Sequence, residues 1–118
     1  MSNENASPES LFDKPSALER LGGDEQLFRE LTEYFREDSE TLLSTVVASA
    51  KLEDWPAVRV AAHSLKGLAA NFSARPATEA ARVLEDAAAA ADGPRAKQLI
   101  GPTVTEIERL RAALSENG

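Results

Sequence analysis

"DEQLFRELTEYFREDSETLLSTVVASAKL", residues 24–52, repeats apolar side chains at helical steps. Leu27, Leu31, Phe35, Leu42, Val46 and Ala50 recur mostly at four-residue spacing, and Tyr34 and Leu43 widen the stripe. Residues three or four apart share one face of a helix. The segment therefore reads as one long amphipathic helix with an acidic and polar outer face. Asp24 supplies an N-cap oxygen. The cluster "REDSE" (36–40) belongs to the solvated face rather than to a pair of catalytic carboxylates.

Working outward, "PSALERLGGD" (15–24) reads as a short helix stopped by Gly22 and Gly23. Residues 1–10, rich in Ser, Asn and Glu, read as a flexible tail, which leaves 11–118 as one domain. On the other side, "EDWP" (53–56) marks the next start. Asp54 can cap, and Pro56 is tolerated in a first turn because its missing N–H has no partner there. That helix runs to about Phe72. "NFSARP" (71–76) breaks it, with Ser73 a possible cap for a helix from about Ala74 to Ala91. "ADGP" (91–94) breaks the pattern again. A last helix, about Arg95 to Leu114, carries Leu99, Thr103, Ile107, Leu110 and Leu114 on one stripe, and Gly101–Pro102 should kink it or shift its start. No stretch alternates like a strand. The fold expected is all-α: an antiparallel up-down-up-down four-helix bundle with the short first helix across one end. The alanines of "AAAAAD" (87–92) imply close packing, and Trp55 reads as a packing residue at the bundle end.

Composition excludes several classes of function. The chain has 118 residues, a formal net charge of −7 and a pI near 4.7, so the basic footprint of a nucleic-acid binder is absent and anionic membranes are poor partners. Without cysteine there are no disulfides or thiolate sites, and a single histidine rules out a multi-histidine metal site within one chain. No apolar run spans a bilayer. The polar N-terminus is unlike a signal peptide, which makes the cytoplasm the default location.

That histidine lies in "AAHSLKGLAANF" (61–72). Laid out at about 100° per residue, Val58, Ala61, Leu65, Leu68, Ala69 and Phe72 form the core-facing arc, and His63 lies roughly 170° from its middle. His63 faces water. Lys66 and Gly67 are its neighbours one turn on, Arg59 one turn back, and Ala70 continues the strip. An ordinary surface histidine would not need Gly67, which costs about 1 kcal/mol relative to alanine in a helix interior. The glycine makes sense if another molecule approaches closely. An exposed imidazole with one unprotonated nitrogen is a nucleophile toward phosphorus, and Lys66 can offset the added charge with help from Arg59. The chain has no glycine-rich phosphate loop and no nucleotide site, so the phosphoryl source must be a partner.

These residues resemble a known family. "AAHSLKGLAANFSA" (61–74) is similar to the signature of histidine-containing phosphotransfer (HPt) domains, a helix-borne His-x-Leu-Lys-Gly. "RLGGDEQLFRELTEYF" (20–35) resembles their opening segment, and "LEDAAAAAD" (84–92) their "LE" stretch. The family commonly has glycine where Ser73 stands. The resemblance implies that His63 is phosphorylated, that Lys66 lies beside the phosphoryl group, and that Gly67 admits a receiver domain. It implies receiver partners, of a hybrid histidine kinase and a downstream regulator, which bring the aspartate and the Mg²⁺; this chain needs no cofactor or metal. It also implies a monomer. A docking surface is expected on the first two long helices, with Val60, Ser64 and Ala70 central and Arg59 and Lys66 toward the rim. The alternatives are a phosphoacceptor domain of a chemotaxis-type kinase, against which the short chain with its own initiator methionine leans, and a receiver-binding adaptor without phosphotransfer, against which the retained histidine argues.

Overall fold

A computed structural model describes residues 11–117, so the tail expected at 1–10 lies outside the described residues. The described chain forms α1 (Lys14–Arg20), α2 (Glu25–Lys51), α3 (Trp55–Ala70), α4 (Arg75–Ala89) and α5 (Gly93–Asn117), with no strand among these residues. None of these helices is long and apolar enough to cross a membrane.

Aspartates open four of the helices. The side chains of Asp13, Asp24, Asp54 and Asp92 accept from the amides of Ser16, Leu27, Ala57 and Arg95, at 3.0–3.2 Å, which satisfies donors that a helix start leaves free. The Asp24 and Asp54 caps are those the sequence predicts. Pro56 lies in the first turn of α3, as expected.

The four inter-helix turns share one stop. A residue with left-handed backbone ends the helical run: Gly22 (φ 69°), Glu53 (56°), Ser73 (52°) and Ala91 (55°). The next amide then reaches back five residues: Gly23 to Leu18 O (2.8 Å), Asp54 to Ser49 O (2.9 Å), Ala74 to Ala69 O (3.3 Å) and Asp92 to Ala87 O (2.9 Å). This is the Schellman arrangement. It corrects the expected role of Ser73, which is the stop of α3 and not the cap of α4. Ala74 holds the cap position of α4 without a side-chain bond. The Ser73 hydroxyl turns instead to α1, accepting from Arg20 Nη2 (2.9 Å) and donating to Ser16 Oγ (3.1 Å).

The buried stripe of α2 is Phe28, Thr32, Phe35, Ser39, Leu43, Val46 and Ala50. Leu27 and Tyr34, expected in the core, are on the surface, and Phe28 takes their place. Two polar residues sit on the stripe's centre line, so apolar side chains alone put the stripe off to one side. Thr32 satisfies its hydroxyl on Phe28 O, 3.1 Å away in the preceding turn. Phe28 and Phe35 both meet Phe72 edge to face, with centroids 5.7 and 5.6 Å apart. The expected arc of α3 is buried except Leu68, which is half-buried, and Ala62 joins it.

α3 packs on α2 and on α4, α4 on α5, and α5 closes back on α2. The pairing of α3 with α4 is the most extensive, and both helices bury alanines. α5 begins at Gly93, ahead of the expected Arg95, and runs on through Gly101 and Pro102. Trp55 is half-buried beneath Gly93, where an added Cβ would meet the indole at 3.2 Å. α1 is latched to the far end of α3: Asp13 N donates to Phe72 O (3.0 Å), and Arg20 Nη2 reaches Ala70 O (3.0 Å) and Asn71 O (3.1 Å).

Candidate functional site

The only histidine sits two turns into α3 with its side chain 64 % exposed, on the outward face that periodicity predicts. Its neighbour on the core side, Ala62, is fully buried and holds this part of α3 against the bundle. Leu84 does the same for α4, and the residue after it, Glu85, lies at the edge of the core with its side chain 15 % exposed. The two helices therefore present His63 and Glu85 across their shared seam.

Glu85 Oε2 is 2.8 Å from His63 Nδ1. A carboxylate can only accept, so Nδ1 carries the hydrogen and Nε2 of the neutral ring keeps its lone pair. The second oxygen, Oε1, lies 2.8 Å from Lys66 Nζ, an ion pair by distance whose angles fall short of a well-aligned hydrogen bond. The Lys66 ammonium, and after it His63, hold the Glu85 carboxyl below its ordinary value, against the opposing effect of burial. Glu85 is thus a charged carboxylate that fixes two side chains from α3 at once. It falls inside the "LE" stretch of the sequence, yet nothing in its spacing from His63, 22 residues away, signals that the two touch.

Lys66 is half-buried and committed to Glu85, rather than standing free above the surface. Gly67 is exposed, and a Cβ built on it would meet nothing within 4 Å. Nothing in this chain requires that residue to be glycine. Arg59, Ser64 and Ala70 are exposed on the same helix face, and Val60 is 57 % exposed. Arg59 makes no ion pair among the described residues. Ala70 is tied through its carbonyl to Arg20.

Tyr34 and Leu27, displaced from the core, add to this side of the molecule. The α5 seam of α2 is lined by Arg29, Glu33, Arg36, Glu40, Ser44 and Val47. At about 100° per residue, Leu27, Leu31 and Tyr34 fall on the opposite flank, which is the one toward α3. Tyr34 is 55 % exposed there, and the Asp38 carboxylate one turn on raises the phenol's pKa. Among the described residues no three His, Cys, Asp or Glu side chains gather in a way that could hold a metal ion.

An outward imidazole, its far nitrogen bare and its near nitrogen held by a carboxylate, has what a nucleophile toward phosphorus needs. The comparisons with known proteins agree with that class. Residues 30–116 match the Hpt domain family, and the chain belongs to it. Its structure is similar to the crystal structure of histidine-containing phosphotransfer protein B (HptB) from Pseudomonas aeruginosa PAO1, with a TM-score of 0.83 and 26 % identity over 91 % of this chain and 93 % of that one. No curated protein sequence gives a significant match. The protein is a histidine phosphotransfer protein, a carrier in phosphorelay signalling.

Proposed function

We propose that His63 accepts a phosphoryl group on Nε2 from the aspartyl phosphate of one receiver domain and passes it to the aspartate of another. The observation that carries this reading is the 2.8 Å contact between Nδ1 and Glu85, which leaves Nε2 as the free nucleophile. In the forward step the Nε2 lone pair attacks phosphorus, the N–P bond forms, and the bond to the aspartate oxygen breaks, releasing a carboxylate. The Nδ1 proton stays on its nitrogen. The ring gains positive character as the N–P bond forms, and the Glu85 carboxylate lies against the nitrogen that shares it.

Lys66 has a double part. It keeps Glu85 charged, and its ammonium lies on the side of the helix where the phosphoryl group arrives. Gly67 clears the approach. Arg59, Val60, Ser64 and Ala70, with Tyr34 from α2, form the surface on which the receiver docks, apolar at the centre and basic at the rim. The receiver supplies the Mg²⁺, and this chain needs no cofactor and no nucleotide.

The arrangement behind this is an antiparallel up-down-up-down bundle. Phe28, near the start of α2, meets Phe72, just past the end of α3, and Arg111 in the last turns of α5 reaches Arg36 O in α2 at 3.2 Å. At the other end Lys97 of α5 pairs with Glu53 after α2 at 3.2 Å. We place the protein in the cytoplasm, where receivers act.

The test is incubation with a phosphorylated receiver and Mg²⁺. Acid-labile label should appear on the wild type and be absent from His63→Gln. Label that persists in the variant would overturn the assignment.

A further inference from the structure

Two of the large exposed apolar side chains, Val47 and Leu52, belong to no part of the site above. Leu52 is 79 % exposed at the end of α2. Both border an open groove of about 640 Å³ along the α2–α5 seam, whose apolar floor includes Leu43, Ala48 and Val104. α2 and α5 pair less extensively than α3 does with either of its neighbours, so the seam stays open. Exposed contiguous apolar surface on a soluble domain marks a place where something binds.

The charges along this groove say what fits it. Glu40 and Glu108 lie at one end, sharing Arg111 at 3.8 and 3.3 Å, so that end keeps one net negative charge. Lys51 lies at the other end, exposed and without an ion pair among the described residues. Lys51 is 11 positions after Glu40 on the same helix, a rise of about 16 Å. The midpoint falls between Ser44 and Val47. A two-fold axis through that midpoint lays one α2 antiparallel on another, brings each Lys51 to the partner's Glu40, and sets each Val47 against the partner's Ser44. Such a patch is its own complement, the condition for an isologous dimer.

We infer that the α2–α5 seam is a self-association surface, and that this chain forms a weak two-fold dimer through it. This departs from the monomer that the resemblance implies, and it is independent of the role given to His63. The dimer leaves transfer possible, because α3 packs on α2 and α4 rather than on α5 and its outer face stays open. Two phosphoryl carriers would then travel as a pair, each with its own docking face.

Sedimentation of the full chain over a dilution series into the millimolar range tests the inference. The wild type should show a reversible monomer–dimer equilibrium. Lys51→Glu and Glu40→Lys should each weaken it at least tenfold, since each places like charges together twice. An equimolar mixture of the two variants should associate more tightly than either alone, because every pair across the axis is then opposite in sign. Val47→Glu should leave the molecule monomeric, with unchanged helix content and unchanged labelling of His63 by a small phosphodonor. A wild type that stays monomeric throughout, a mixture no tighter than its components, or a dimer indifferent to Val47→Glu would each overturn it.

Discussion

Glu85 Oε2 lies 2.8 Å from His63 Nδ1 while Oε1 of the same carboxylate lies 2.8 Å from Lys66 Nζ. One side chain on α4 therefore sets the tautomer of the imidazole and the position of the ammonium on α3. Removing it by Glu85→Ala frees the ring to rotate and to carry its proton on either nitrogen. A hydrogen bond to a charged group is worth about 1.5–3 kcal/mol. To the extent that it is kept in the transition state, its loss slows phosphorylation roughly ten- to a hundred-fold. A merely structural role would change the rate without changing the product. Phosphorus NMR of the wild type should give only the Nε2 phosphoimidazole, and Glu85→Ala a mixture of both ring isomers.

The same carboxylate makes stability depend on pH. Lys66, and then His63, lower its pKa in the fold below the ordinary 4.5. A depressed carboxyl contributes stability that is fully present above its unfolded value and is lost as the pH falls through the folded one. Denaturant unfolding should therefore separate wild type from Glu85→Gln at pH 6, and the gap should close as the pH drops below 4. A gap that widened on acidification would contradict the ion-pair account of Glu85.

The helices, two of their aspartate caps and the outward turn of His63 were legible in the sequence because each rests on local rules: periodicity, capping and the 100° step. The errors have separate causes. Thr32 and Ser39 lie on the buried line of α2, so a hydrophobicity pattern shifts toward Leu27 and Tyr34 and passes over Phe28. Glu53, Ser73 and Ala91 stop helices in a conformation that glycine normally marks, so Ser73 reads as a cap. Glu85 is reached only through the pairing of α3 with α4, and no local pattern reports a contact across that seam.

Gly67 separates intramolecular from intermolecular demands. Its added Cβ would meet nothing within 4 Å, so Gly67→Ala should raise the protein's own stability by about 0.5–1 kcal/mol. A larger residue, as in Gly67→Trp, should leave the fold and the reaction of His63 with a small phosphodonor intact, while transfer from a phosphorylated receiver falls at least tenfold. Equal rates from both donors would show that close approach is not what the glycine serves.

Ala91 and Ser73 offer a matched pair of backbone tests. Both hold left-handed φ, 55° and 52°, a conformation that costs a non-glycine residue roughly 1 kcal/mol. Ala91 is exposed and its side chain bonds to nothing, so Ala91→Gly should stabilise, by somewhat under that amount because glycine also loosens the unfolded chain. Ser73 differs, since its hydroxyl joins Arg20 and Ser16 and so fastens α1 to the end of α3. Ser73→Gly relieves the backbone but gives up those bonds and should be close to neutral. Ser73→Ala gives them up without relief and should destabilise by about 1 kcal/mol. Thermal unfolding of the three variants should therefore rank Ala91→Gly above the wild type, Ser73→Gly near it and Ser73→Ala below. Amide exchange in α1 should speed up in both Ser73 variants and stay unchanged in Ala91→Gly.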